Sequence, residues 1–253
     1  MKRSAIRIAA LLLSFGPVAC GGAEETGERV PESAPAGEAE LTGDTAAPAG
    51  DPEPATDTGT VPLLDPYHPD VNRRAPDQFR VAFTTTKGEF LVEVHREWAP
   101  LGADRFYNLV QVGYYNDNHF FRVVDGFIAQ FGMNGDPAVN EAWDDAGIPD
   151  DPMGEMNTRG RLTFAHAGPG TRTTQLFISL GDNLFLDNQG FPPFGEVLDG
   201  MDVVDSLHTG YGDAPPRGLG PDQGRIGVEG RAYLEREFPL LDYVESARVV
   251  AER

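Results

Sequence analysis

Phe120-Phe121-Arg122-Val123-Val124-Asp125-Gly126-Phe127-Ile128-Ala129-Gln130-Phe131-Gly132 is the stretch on which the fold turns. Two apolar runs flank Asp125-Gly126, a dipeptide that favours a tight hairpin turn. Arg122 alternates with Phe121 and Val123, so it projects from one face of its strand. Gln130 lies eight residues on, across the turn, where the two side chains become neighbours on the same sheet face. A second stretch, Leu162 to Ile178, reads L-T-F-A-H-A-G-P-G-T-R-T-T-Q-L-F-I and adds Ala165, His166, Gln175 and Phe177. An arginine among Phe127, Phe177 and Phe185 is costly to half-bury without a partner or a task. Two readings stand at this point: a rim arginine paired with an acid, or a donor inside a site. Neither a nucleophile–base pair nor metal-ligand spacing accompanies it. The combination suits a site that grips an apolar ring and polarises one bond without covalent chemistry.

Outward from this core, strand-period alternation runs over Phe79–Thr86 and Glu89–His95, joined at Lys87-Gly88. Ala103, Phe106, Leu109 and Val110 recur at helical spacing and predict a helix over about 101–112. Further strands are expected at Phe120–Val124, Phe127–Gly132, Arg161–His166, Gln175–Leu180 and Phe194–Leu198, with a closing strand at Tyr243–Val250. A second helix is expected over Gly200–His208 and a short one over Ala232–Phe238. Met133–Arg159 is rich in Gly, Pro, Asn and Asp and reads as a long irregular loop, and Tyr211–Gly230 as a second Gly/Pro-rich excursion. Strands at short spacing without alternating strand–helix units predict a mainly β architecture, an antiparallel barrel capped by helices.

The ends of the chain read differently. Lys2, Arg3 and Arg7 precede an apolar run, Ile8–Phe15, too short to span a bilayer, and Gly16-Pro17-Val18-Ala19-Cys20 follows. Small residues before the only cysteine resemble a bacterial lipobox, which predicts a signal peptide over 1–19, lipidation of Cys20 and export to the cell envelope. An ordinary secretory signal cut near Ala19 is the alternative. Residues 20–76, rich in Ala, Pro, Gly and acids, are expected to form a disordered, self-repelling tether, leaving 77–253 as the folded domain. A formal net charge of −20 argues against nucleic-acid binding. A single cysteine excludes an intramolecular disulfide framework.

Phe120–Gly132, Leu162–Ile178 and Leu186–Val197 together resemble the cyclophilin family of peptidyl-prolyl isomerases, over about Phe79 to Leu207. F-x-R-V-V-x-G-F-x-x-Q-x-G is long and specific, and A-x-A-G-P leading to Q-L-F-I follows in order. The resemblance implies a closed eight-stranded antiparallel barrel with two capping helices, no cofactor, proline-containing polypeptide substrates and a monomer. It implies that Arg122 is the catalytic arginine and that Gln130 positions the substrate and the arginine. Phe127, Ile128, Phe177 and Leu186 match the walls of the proline pocket, with Ile128 replacing a commoner methionine. Ala165 and Gln175 match groove residues, and His166 stands where asparagine is commoner. Phe185 takes the place of a tryptophan associated with cyclosporin binding, and Phe191 that of a pocket histidine. A non-catalytic module of the same fold that holds Pro-containing segments is the rival expectation.

Other sites are not expected. His68, His95, His119, His166 and His208 lack zinc-like spacing. The acids of the 133–159 loop lack the ligand ladder and central glycine of a calcium loop. Ser179 and Ser206 lack a nucleophile-elbow context.

Overall fold

A computed structural model describes residues 63–253; the predicted signal peptide, Cys20 and the first part of the tether lie outside them. Nine strands form one antiparallel sheet, in spatial order β3-β9-β1-β2-β8-β6-β7-β5-β4. The strands are β1 (Gln78–Thr85), β2 (Gly88–His95), β3 (Asn118–His119), β4 (Arg122–Val124), β5 (Ile128–Phe131), β6 (Arg161–Phe164), β7 (Leu176–Ser179), β8 (Pro193–Asp199) and β9 (Tyr243–Glu252). The helices are α1 (Pro100–Gln111), α2 (Pro137–Trp143), α3 (Met201–Asp205), α4 (Gln223–Glu229) and α5 (Arg231–Glu237).

Each element follows from local chemistry. In β1 every second residue is buried, Phe79, Val81 and Phe83 among them, and the strand pairs in register with β2 from Gln78↔His95 to Thr85↔Gly88. Pro100 opens α1, where its missing N–H costs nothing. Gly113, at φ 70°, closes it: its own N–H meets the Val110 carbonyl at 3.0 Å and the Tyr114 N–H meets the Leu109 carbonyl at 2.9 Å. Phe106 from α1 packs between Phe79, Phe83, Tyr115 and Phe194, joining helix to barrel interior.

The sheet differs from the expected eight-stranded closed barrel in one instructive place. The strand read over 120–124 narrows to β4, and an unexpected short strand, β3, precedes it; the two lie at opposite edges of the sheet. Phe120 and Phe121 alone separate them, so the sheet curls until its edges are neighbours and the chain itself crosses the seam. Phe120 turns into the barrel core against Phe131, while Phe121 turns outward into a second cluster with Met133, Ile226, Tyr233, Leu234 and Leu241. Two adjacent phenylalanines claimed by two cores break the ladder at that point.

Three further boundaries are corrected. Residues 63–76, assigned to the tether, pack on the domain: Val71 and Ala75 are buried in its core, and the Leu63 carbonyl accepts from Trp143 Nε1 at 2.7 Å. The 133–159 loop contains α2, capped by Asp136, whose carboxylate accepts from the Ala138 N–H at 2.9 Å, and anchored by buried Val139 and Trp143. The 211–230 excursion contains α4, which joins α5 at Gly230 and packs the second cluster under Phe121. Among the described residues α2 and α4 thus join the three helices expected from the sequence. Among the described residues no helix is long and apolar enough to cross a membrane.

Candidate active site

Arg122 and Gln130 are direct cross-strand partners on β4 and β5, as their spacing predicts. The turn between the strands takes in Phe127, expected on the strand, as well as Asp125 and Gly126; the Phe127 N–H closes it on the Val124 carbonyl at 2.9 Å. Gln130 in turn stands opposite Phe177 on β7. Alternation sorts these strands: Val123, Ala129, Phe131, Leu176 and Ile178 enter the barrel core. Arg122, Ile128, Gln130 and Phe177 face the other way. Ile128, Ala165, Phe177, Leu186 and Phe191 are all buried, and none belongs to the barrel core. Two of them, Phe177 and Phe191, meet directly, with ring centres 5.9 Å apart.

A polar row runs from Arg122 to Gln175. Gln130 Oε1 accepts from Arg122 Nη1 at 3.1 Å, and Gln130 Nε2 donates to Gln175 Oε1 at 2.9 Å. Arg122 is only 4% exposed and Gln130 is fully buried, so water does not compete for these bonds. The guanidinium carbon lies 5.5 Å from the centre of the Phe127 ring. Phe127 stacks on Phe185 at 5.8 Å, and Phe185 remains 41% exposed at the rim. Asn183 Nδ2 donates to the Phe127 carbonyl at 2.8 Å, tying the turn that carries Phe185 and Leu186 to the β4–β5 hairpin.

The far wall is aromatic. Phe191 meets Phe177 edge-on at 5.9 Å, and its other face stacks on the His166 ring at 3.9 Å. His166 Nδ1 accepts from the Gly168 N–H at 3.1 Å, which makes Nε2 the protonated nitrogen donating to the Gly190 carbonyl at 2.9 Å. Burial lowers the His166 pKa below its ordinary value despite the favourable Gly190 contact, so the ring is neutral. Ring contacts thus join Phe127 to Phe185 and Phe177 to Phe191 and His166, and the Ala165 N–H donates to the Gln175 carbonyl at 2.9 Å.

One member escaped the sequence reading. Asp213 Oδ1 accepts from Arg122 Nε at 2.8 Å and Oδ2 from Nη2 at 3.1 Å, a two-pronged pair across 91 residues of sequence. Burial pushes the Asp213 carboxyl up, but hydrogen bonds and charge from Arg122, the Ala214 N–H and Arg217 outweigh it and hold the pKa below its ordinary value. Asp213 is therefore ionised wherever the protein is folded at neutral pH. Its position inside a Gly/Pro-rich excursion carries no periodic signal, so only the fold reveals it. Arg122 is paired with an acid, as one of the two readings left open by the sequence had it, but it is buried and not at the rim.

One group among the described residues has metal-like spacing: Glu93, His95 and Glu196, with ligand atoms within 4.8 Å of one another. Arg80 already donates to Glu93 at 2.8 Å and Arg161 to Glu196 at 2.5 Å, so the carboxylates are neutralised within an ion-pair row across β1, β2, β8 and β6.

Comparison with known proteins agrees with this geometry. The family described as cyclophilin type peptidyl-prolyl cis-trans isomerase/CLD matches residues 80–219. Peptidyl-prolyl cis-trans isomerase B of Escherichia coli is 34% identical over 181 residues, covering 68% of this chain and 99% of that protein. A peptidyl-prolyl cis-trans isomerase of Acinetobacter baylyi is 35% identical over 141 residues, covering 50% of this chain and 70% of that protein. The crystal structure of a Cryptosporidium parvum cyclophilin type isomerase superposes with a TM-score of 0.51 at 20% identity, covering 70% of this chain and 99% of that one, which shows the shared fold. The chain belongs to the cyclophilin-type peptidyl-prolyl cis-trans isomerases.

Proposed function

We propose that this isomerase works by aiming the Arg122 guanidinium at the nitrogen of a twisting X–Pro bond. Phe127, Ile128, Ala165, His166, Gln175, Phe177, Phe185, Leu186 and Phe191 form the groove that holds the proline and its flanking chain. Its substrates are exported proteins that it helps to fold in the cell envelope, where lipid on Cys20 anchors it as a monomer. The observation that carries the mechanism is the state of Arg122: almost fully buried, beside the Phe127 ring, with three of its N–H groups committed to Asp213 and Gln130. A guanidinium has five N–H donors, so one on each terminal nitrogen is left for a substrate.

The chemistry suits that donor. Amide resonance sets a rotation barrier of roughly 18–20 kcal/mol, and unaided relaxation takes roughly 10–100 s. As the bond twists, resonance is lost and the imide nitrogen gains a lone pair. A fixed donor binds that state better than either planar ground state, and this difference is catalysis. Shortening the reaction to about a millisecond needs four to five decades, about 5–7 kcal/mol at about 1.36 kcal/mol per decade. A single preorganised donor in a dry site supplies about 2.7–4 kcal/mol. Fixed orientation of the ring and the flanking carbonyls contributes the rest.

A protease-coupled assay on X-Pro peptides tests the reading. Arg122→Ala should lower kcat/KM by about a hundredfold or more, while peptide affinity measured by titration changes little. Because the substitution takes the two-pronged partner from Asp213, Arg122→Lys, which keeps the charge and loses the planar fork, serves as the folded control. Equal catalysed rates in wild type and both variants would overturn the arginine mechanism. Rates at the uncatalysed level in all three would leave a binder of Pro-containing segments instead.

A further inference from the structure

The Tyr211–Gly220 segment is built around Asp213. Tyr211 is wedged edge-on against both His208 and Phe238, at 4.9 and 5.1 Å, which anchors the segment on the second hydrophobic cluster. The Leu219 N–H returns to the Tyr211 carbonyl at 3.0 Å and the Gly220 N–H to the Asp213 carbonyl at 2.9 Å, closing the segment on itself. Gly218 lies so near that a Cβ there would come within 2.1 Å of the Asp213 carbonyl oxygen, a contact that only glycine avoids. The Asp213 carboxylate is held from both sides. Oδ1 accepts from Arg122 Nε and the Ala214 N–H, each at 2.8 Å, while Oδ2 takes Arg122 Nη2 at 3.1 Å and faces Arg217 Nε at 3.2 Å. With 16% of its side chain exposed, Asp213 is no loose rim acid.

We propose that Asp213 is a positioning residue for the isomerase reaction, fixing the plane of the Arg122 guanidinium through its Nε–Nη2 edge. The inference rests on reading Arg122 as the donor to the prolyl nitrogen. Arg122 sits on a strand of three residues at the edge of the sheet, and a long side chain there has several rotors to restrain. Gln130 touches only Nη1, so by itself it leaves the guanidinium free to pivot about that bond. The two-pronged carboxylate removes the pivot, and the uncommitted N–H groups then keep one direction before substrate arrives. Such preorganisation spares the twisting amide from orienting its own donor. The C-terminal helices thereby acquire a catalytic purpose: α4 and α5 pack beneath Phe121, the neighbour of Arg122, and Tyr211 in the same cluster stands two residues from Asp213. The arginine and its clamp are thus carried by one small apolar core.

The alternative is that Asp213 withholds Arg122 from substrate, and kinetics separate the two. On the full chain, kcat and KM are measured with an X-Pro peptide for wild type, Asp213→Asn, Gly218→Ala, Arg122→Ala and the double variant Arg122→Ala/Asp213→Asn, with thermal midpoints alongside. Asp213→Asn should lower kcat about tenfold or more and change KM by less than about twofold. Gly218→Ala, which keeps the carboxylate but displaces its peptide, should show the same kcat-selective loss and keeps the test open if Asp213→Asn does not fold. In the Arg122→Ala background, Asp213→Asn should change kcat by less than about twofold, because its effect passes through the arginine. A kcat at or above wild type in Asp213→Asn would overturn the proposal in favour of a clasp. An undiminished effect in the double variant would overturn it in favour of a merely structural role. Wild-type kcat in Arg122→Ala would instead remove the arginine reading on which both depend.

Discussion

Gln130→Leu isolates the centre of the polar row. Gln130 is fully buried, and its amide makes two bonds, one from Arg122 Nη1 at 3.1 Å and one to Gln175 Oε1 at 2.9 Å. Leucine fills nearly the same volume, so the substitution removes the bonds without opening a large cavity. An N–H of a charged group then loses its acceptor, worth about 1.5–3 kcal/mol, and a neutral carbonyl loses its donor, worth about 1 kcal/mol. Burying an apolar side chain in place of an amide offsets about a third of this, leaving a destabilisation of about 2–3 kcal/mol. At about 2–4 °C per kcal/mol for a domain of this size, the thermal midpoint should fall by about 5–10 °C. Arg122 keeps both bonds to Asp213, so the donor remains in the groove with one restraint fewer. That loss should lower kcat by about tenfold, equivalent to about 1.4 kcal/mol. Calorimetry gives the midpoint, and the protease-coupled assay, run well below it, gives kcat. A midpoint within about 2 °C of wild type together with an unchanged kcat would show that the row does not couple the two glutamines to the arginine.

Two further outcomes follow from the structure and the chain's start. Burial lowers the pKa of both His119 and His166 from the ordinary 6.5. The unfolded chain therefore binds more protons below that value, and stability held above pH 6.5 should be lost as pH falls toward the folded-state pKa values, by up to about 1.4 kcal/mol per pH unit for each ring. Midpoints measured between pH 7.5 and 5.5 should decline, His166→Asn should flatten the decline, and an identical slope in that variant would refute the assignment to His166. Cys20→Ser should move the protein from the membrane fraction to the soluble fraction of the cell envelope, and unchanged fractionation would refute the lipid anchor.

The fold and the site were legible to different depths, for physical reasons. Strand alternation and turn chemistry are local, so the β1–β2 and β4–β5 hairpins could be placed from residue spacing, and with them the apposition of Arg122 and Gln130. Ile128 and Phe177 entered the pocket only as the family resemblance implied, because alternation sorts a strand's two faces without saying which of them lines a groove. Composition misled where a few residues outweighed their surroundings. The Asp136-Pro137 cap starts α2 inside a stretch whose Gly, Asn and Asp content reads as loop. Residues 63–76 look like tether until Val71, Ala75 and the Leu63 carbonyl find the domain.

By itself the sequence determined the strand-rich class, the hairpin that opposes Arg122 to Gln130, and, through its motifs, the family. Tertiary structure decided the rest. The break between β3 and β4 exists because Phe120 and Phe121 are drawn into different cores. The partner of Arg122 comes from 91 residues away, delivered by a segment whose conformation depends on helices packed beneath Phe121. Short-range propensities do not encode a contact of that separation. It forms only when apolar burial elsewhere has already fixed both ends of the chain in space.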